Sequence, residues 1–147
     1  MMNRKNIIPT LLLLSLSIII IASCKKDSST DPTTPGVACI ADSGGTKTIV
    51  ARLEHHTVNI ANQVSNPDTV WVKFNAINWS DAPNNFSVRY IGVGGEDHIN
   101  LTNLKCGNYF LYASGYDTSI ASPVYGGINV TLSTSDSLVN KAIPVTE

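Results

Sequence analysis

The chain has 147 residues, a formal net charge of −1 and a hydrophobic content of 43%. A chain of this length and composition carries enough apolar surface to bury the core of one globular domain. Ten lysines and arginines stand against eleven aspartates and glutamates, and no stretch forms a basic stripe. A nucleic-acid partner is therefore not expected.

The first 23 residues have the pattern of a secretory signal. A short, positively charged start is followed by the apolar run 7–21 and by two small residues. Cys24 directly follows these small residues, an arrangement that resembles the lipobox of bacterial lipoproteins. The resemblance implies cleavage before Cys24, lipidation of Cys24 and membrane anchoring in the cell envelope, with the outer membrane as the expected location, on its periplasmic or surface face. A transmembrane anchor, which needs about 20 apolar residues, and plain secretion are the alternatives.

Residues 24–36 are predicted to form a flexible tether that begins at the lipidated cysteine. The segment 28–36 contains two prolines and no large apolar side chain. Such a segment cannot bury enough surface to offset the entropy lost on ordering. It would hold the domain that we predict for residues 37–147 away from the membrane.

Within residues 37–147, apolar side chains recur at every second position, which is the period of half-buried β-strands. No segment shows a convincing helical period of 3.6. The predicted strands are 46–54, a weaker 57–64, 69–76, 86–90, 98–101, 109–117, 124–132 and 138–145. Turns are predicted between them, at 66–68, 92–96 and 133–137 among others. Short strands separated by turns predict an all-β sandwich of about seven strands, in which two sheets each bury one face.

The stretch 101–117 organises the domain. Gly107 supplies a turn, and two largely apolar sets then alternate along one strand: Tyr109, Leu111 and Ala113, and Phe110, Tyr112 and Ser114. Such a strand is predicted to be covered on both faces, or to be central with one face partly shielded. The pattern Leu104-x-x-Gly107-x-Tyr109 also resembles the tyrosine corner of Greek-key sandwiches, in which a buried tyrosine hydroxyl bonds to backbone.

Glycine and aromatic spacings in the C-terminal part carry a family resemblance. The residues concerned are Leu101-x-x-Leu104-x-x-Gly107-x-Tyr109-x-Leu111-x-Ala113-x-Gly115-Tyr116-Asp117 and then Val124-Tyr125-Gly126-Gly127-Ile128. They resemble the transthyretin-like, carboxypeptidase-regulatory-like β-sandwich family, although Cys106 stands where that family commonly has proline. The resemblance implies a single Greek-key sandwich. Because members are mostly accessory or binding modules, it also implies a non-enzymatic role beside a protein partner.

The chain has three cysteines. If Cys24 takes lipid, Cys39 and Cys106 remain, and an even number of cysteines in an exported domain predicts a disulfide. This bridge would join the entrance of the domain to the turn before the central strand. The alternative is two thiols that never meet. A Cys-x-x-Cys motif is absent, so thiol catalysis is not expected.

His55 and His56 beside Glu54, and the pair 97–98, are the clusters with metal-ligating side chains. Adjacent residues of a strand point to opposite faces, and zinc needs about four converging ligands. We therefore predict a hairpin end and a polar loop, with no metal and no cofactor. A Gly-x-Ser-x-Gly motif is absent, and the glycines at 92–95 lack the lysine and the helix of a phosphate loop. We predict no catalytic residues and do not expect an enzyme.

Trp71 and Trp79 are the candidates for ligand contact. Trp71 lies on the strand face opposite Val70 and Val72, where a solvated ring would stack on a sugar or a protein. Trp79 lies in a loop rich in Asn and Asp, a composition suited to binding hydroxyls. The alternative is that both rings pack at a sheet edge or under a loop. Two functions remain open: an anchored accessory module that docks a protein partner, or a glycan-binding surface module.

Overall fold

The computed structural model describes residues 38–147, which form eight β-strands. The strands are β1 Ser43–His55, β2 Val58–Asn59, β3 Thr69–Phe74, β4 Val88–Ile91, β5 Ile99–Leu104, β6 Gly107–Asp117, β7 Ser122–Leu132 and β8 Leu138–Val145. The predicted signal 1–23, Cys24 and the tether 24–36 lie outside the described residues. Within 38–147 no helix suited to crossing a membrane is found.

The strands form two sheets of four. In the first sheet, β8 runs parallel to β1 along one edge, and β5 and β2 pair antiparallel with its other edge. The second sheet has the order β4-β3-β6-β7 and is antiparallel throughout. This architecture confirms the predicted all-β, two-sheet fold. The eighth strand, β2, has only two residues.

The core lies between the two sheets and follows the alternation of the sequence. In β6 the inward residues Tyr109, Leu111 and Ala113 are fully buried, and they face Ile49, Ala51 and Leu53 of β1 within one apolar cluster. The outward residues of β6 from Phe110 to Tyr116 are half-buried. Since β6 lies between β3 and β7, it is the central strand that the sequence predicted, with one face partly shielded.

The predicted strand 57–64 is wrong beyond β2, because this segment bonds to a loop instead of to a strand. The Asn62 backbone N–H and side-chain Nδ2 both donate to the carbonyl of Glu96, each at 2.9 Å, and Nδ2 also donates to the carbonyl of His98 at 3.2 Å. The Asn62 Oδ1 accepts the backbone N–H of Asp68 at 3.0 Å. The hydrogen bonds of this one buried asparagine thus take the place of the hydrogen bonds between strands that the prediction implied.

The bounds of most other strands differ from the prediction by one to three residues, and two of these differences have a clear cause. The predicted strand 98–101 continues to Leu104, because Leu104 pairs with β1 before the chain turns into β6. Phe86 was predicted to begin a strand, but β4 begins at Val88 and Phe86 is 44% exposed.

One end of the sandwich, where the described chain begins, is closed by bonds to residues 39–42; we call it the proximal end. Cys39 and Cys106 form a disulfide with their Cα atoms 5.0 Å apart. The hydroxyl of the fully buried Tyr109 donates to the carbonyl of Lys105 at 2.7 Å and accepts the N–H of Asp42 at 3.3 Å, as the tyrosine-corner pattern predicted. These contacts join the entrance of the domain to the central strand.

The turn before β6 also requires its glycine. Gly107 has a φ of +142°, and a Cβ there would lie 2.2 Å from the backbone nitrogen of Ala41. A larger residue would therefore push the entrance of the domain away from β6.

Candidate functional site

The opposite, distal end of the sandwich contains an open cleft of about 500 Å³. Its two sides are the β1–β2 turn with the segment that follows it, and the β6–β7 loop. His56 and Thr57 form the turn with φ values of 48° and 68°, the left-handed geometry of a two-residue hairpin. β1 and β6 both end here, so this cleft is the candidate functional site of the described chain.

A charge cluster around the buried His55 adjoins the distal cleft, which His55 and Asp117 help to line. The His55 ring is hydrogen-bonded through Nδ1 to Oδ2 of Asp117 at 2.7 Å and through Nε2 to Oε2 of Glu147 at 2.9 Å. Asp117 accepts two further bonds through Oδ1, from the Ser119 hydroxyl at 2.6 Å and the Ser119 N–H at 2.8 Å. Three separate parts of the chain therefore meet at one imidazole.

The hydrogen bonds of the cluster set the charges of its members. The bond to Asp117, more than that to Glu147, raises the pKa of His55, although burial opposes the rise. The Ser119 hydroxyl, followed by the His55 ring, lowers the pKa of Asp117 to about 2. The backbone N–H of Glu147 and the same ring lower the pKa of the Glu147 carboxyl. The two hydrogen bonds thus favour the imidazolium form of His55 between the carboxylates.

This arrangement suits a structural bridge better than a catalytic base. A general base needs a free nitrogen within reach of the proton that it removes. Both ring nitrogens of His55 are occupied by carboxylates, and the Ser119 hydroxyl bonds to Asp117. The cluster therefore links the ends of β1 and β6 to the residue after β8.

The two histidine clusters of the sequence do not converge. His55 is buried, His56 is exposed, and their rings stack with centroids 4.1 Å apart at the hairpin end. His98 donates from Nδ1 to Asp97 at 2.8 Å, on a different loop. Within residues 38–147, no three His, Cys, Asp or Glu side chains are placed to hold a metal ion.

The outer face of the second sheet carries the two tryptophans. Trp71 is half-buried; it pairs across the sheet with Arg89 on one side and with Tyr112 on the other. Trp79 folds over this face from the β3–β4 loop and is only 8% exposed, with its ring 6.3 Å from that of Tyr112. Trp79 is thus packed under its loop and does not offer a free ring, whereas Trp71 keeps a partly open one.

The link from His55 to Asp117 and Glu147 was not predicted from the sequence. His55 continues the inward set of β1, after Leu53, and Asp117 continues the inward set of β6, after Gly115. Alternation alone therefore places two ionisable side chains on buried positions at strand ends. A buried ionisable side chain needs a charged or hydrogen-bonding partner. The alternation of the sequence therefore already indicated that His55 and Asp117 each have one.

Comparisons of the chain with protein-family models, with curated proteins and with solved structures found no match in any of the three.

Proposed function

We propose that the chain is a lipid-anchored, non-enzymatic accessory module of the bacterial cell envelope that binds a protein partner through its distal end. Cys24 carries the lipid in this proposal, and the outer membrane is the expected site. The domain would be a Greek-key member of the transthyretin-like, carboxypeptidase-regulatory-like sandwiches, whose members are mostly accessory or binding modules. No cofactor or metal takes part.

The observation that carries the proposal is the set of exposed aliphatic side chains at the distal end. Val58 and Ile120 stand on the two sides of the cleft and are 68% and 46% exposed. Ile91 and Val93 flank the β4–β5 turn at 54% and 67%, and Val64, next to Gly94 of that turn, is 85% exposed. Ile40, Ile77 and Leu138 are exposed elsewhere on the described chain, but the distal end combines such side chains with a cleft, an arrangement typical of protein-binding surfaces.

The direction of β1 supports binding of the partner at the distal end. β1 starts beside the proximal disulfide and ends at the distal cleft, and its 13 residues span on the order of 40 Å at about 3.3 Å per residue. The described chain therefore begins at the end opposite the distal cleft. In the proposal, a tether to Cys24 would leave from the proximal end and keep the cleft accessible to a partner.

Site-specific photo-crosslinking in the source bacterium tests the proposal. A photoreactive amino acid replaces Val58 or, as a matched control, the exposed Thr131 on β7 near the proximal end. We expect a discrete cross-linked envelope protein from position 58 alone and a weaker product when Ile120 is changed to Asp. Cys24→Ala should abolish the incorporation of labelled palmitate into the chain. Equal products from both positions, or none from 58, would contradict the proposal.

The glycan-binding alternative rests on Trp71. Its ring lies 5.9 Å from that of Tyr112, and Gly127, the strand partner of Tyr112, carries no side chain to cover the two rings. The Trp71 ring is tilted by 49° from that of Tyr112, and its partly open face beside Arg89 suits stacking on a sugar. If this alternative holds, envelope polysaccharide should change the tryptophan fluorescence of the protein and of Trp79→Phe, but not that of Trp71→Phe. An unchanged signal in the wild-type protein would exclude it.

A further inference from the structure

The size and openness of the distal cleft suit a short segment of another chain. Its volume of about 500 Å³ lies within the usual range of binding sites, roughly 300–1,000 Å³. It opens to solvent between two hairpin ends. A segment of two or three residues can enter such a space from the surface.

The walls of the cleft favour an aliphatic group. Val58 on one side and Ile120 on the other are exposed, and Ile60 continues the apolar wall at 7% exposure. Placing a branched side chain between Val58 and Ile120 would remove apolar surface from water on both sides. Each buried methylene contributes about 0.8 kcal/mol.

The charge at the edge of the cleft favours a cation beside that aliphatic group. Asp117 and Glu147 carry two negative charges, and the His55 ring that lies between them supplies at most one positive charge. The Glu147 side chain is 61% exposed, so its carboxylate is accessible from solvent. No lysine or arginine belongs to the cleft lining in the described part of the chain.

From these observations we infer that the distal cleft takes a partner segment in which an aliphatic side chain is adjacent to a lysine or arginine. The inference rests on the proposed docking function and names the chemistry of the docked segment. The aliphatic side chain lies between Val58 and Ile120, and the cation lies over the Glu147 carboxylate. An acidic neighbour in the segment would be repelled by the same two carboxylates.

The test uses two dipeptide probes that differ only in charge, acetyl-Leu-Lys-amide and acetyl-Leu-Glu-amide. Each is titrated into the full chain in detergent micelles while the methyl signals of Val58 and Ile120 are followed by NMR. We expect both methyl signals to shift with either probe. The lysine probe should bind about fivefold more tightly than the glutamate probe, the size of effect that one exposed ion pair gives. The preference should shrink as salt is raised, because screening acts on exposed charges.

Three variants locate the effect. Glu147→Gln should bring the two probes to nearly equal affinity, because it cancels the excess negative charge. Asp136→Asn, which changes a carboxylate near the proximal end, should leave the fivefold preference unchanged. Ile120→Ser should weaken both probes by a similar factor and keep their ratio. Unchanged methyl signals of Leu111 and Val130 would show that each variant retains the core.

Equal binding of the two probes by the wild-type chain, or absence of shifts at Val58 and Ile120, would overturn the inference. The proposed function is tested separately by cross-linking from position 58. A discrete cross-linked partner together with equal binding of the probes would retain the docking function and reject the basic-aliphatic segment. The lysine preference without a cross-linked partner would retain the chemistry of the cleft and reject docking in the cell.

Discussion

His55 and Asp117 join the two sheets at the distal end through a hydrogen bond of 2.7 Å. His55 is the last residue of β1 in the first sheet, and Asp117 is the last residue of β6 in the second. Glu147, just beyond β8, binds the same ring at 2.9 Å. The disulfide and the Tyr109 hydroxyl perform the same task at the proximal end, so polar or covalent links close both ends of the apolar core.

The first prediction concerns the pH dependence of this link. Because the pKa of His55 is raised, its contribution to stability is complete below the unfolded value of 6.5 and is lost as pH rises through the folded value. The pKa of Asp117 falls from 3.8 to about 2, so its contribution is complete above 3.8 and is lost towards pH 2. His55→Gln should therefore lower the urea midpoint most between about pH 4 and 6.5.

Urea unfolding at pH 2.5, 5.5 and 8.5 measures this effect. His56→Gln changes the exposed neighbour in the same turn and should leave the midpoint almost unchanged at each pH. A loss in His55→Gln that is the same at all three pH values would show that packing, and not the paired charges, accounts for the role of His55.

The second prediction concerns Asp68, which is buried at 2% exposure and has one carboxylate oxygen, Oδ1, without a hydrogen-bond partner. Burial raises the pKa of Asp68 to about 6, although a hydrogen bond from the Tyr116 backbone opposes the rise. The folded state therefore holds a proton that the unfolded state releases between pH 3.8 and about 6. The contribution of Asp68 to the free energy of unfolding is therefore complete below pH 3.8 and is lost as pH rises to about 6.

Replacing Asp68 by Asn removes this ionisation while it keeps the size of the side chain. We expect Asp68→Asn to be more stable than the wild-type protein at pH 7.5, by about 1–3 kcal/mol, and the gain to vanish near pH 4. Urea unfolding at the two pH values measures the difference. Asp81→Asn, at an exposed position, should change neither value. A gain that persists unchanged at pH 4 would contradict an effect of ionisation.

Much of this fold follows from alternation in the sequence. In β1 and β6 the inward residues were evident in the sequence as apolar residues at every second position. Assigning each alternating set of side chains to one face of its strand placed the core and the central strand correctly. The turn at Gly107 was evident from the glycine. These features depend on local patterns, which the sequence contains in full.

The features that the sequence did not predict depend on contacts between distant segments. Asn62 binds the loop around Glu96, and Trp79 packs against Tyr112; neither contact leaves a local pattern. His55 meets Asp117 at a separation of 62 residues. Alternation assigns each of these two residues to the buried face, but only the three-dimensional arrangement of the strands shows which partner it finds.

The third prediction concerns the Tyr109 hydroxyl, which binds the carbonyl of Lys105 and the N–H of Asp42. Tyr109→Phe keeps the buried ring and leaves these two backbone groups without that partner. We expect a loss of about 1–2 kcal/mol in the free energy of unfolding, measured in urea. Tyr125→Phe removes a hydroxyl from a ring that is 44% exposed and should have almost no effect. Equal losses in the two variants would contradict the role of the corner.

The last prediction concerns the disulfide between Cys39 and Cys106, which are 67 positions apart in the sequence. Closing a loop of this length restricts the unfolded chain and contributes about 4 kcal/mol in the chain-entropy model. The double change Cys39→Ser and Cys106→Ser should therefore lower the urea midpoint, by about 2 M if the slope is about 2 kcal/mol per molar.

The same experiment with reductant separates the covalent link from the side-chain change. Reductant should lower the midpoint of the wild-type protein towards that of the double variant and leave the double variant unchanged. Cys24 is present in both proteins, so its chemistry cannot account for a difference between them. If reductant leaves the wild-type midpoint unchanged while free thiols at both positions are detected, loop closure does not stabilise this domain, and the Tyr109 corner must hold the proximal end without it.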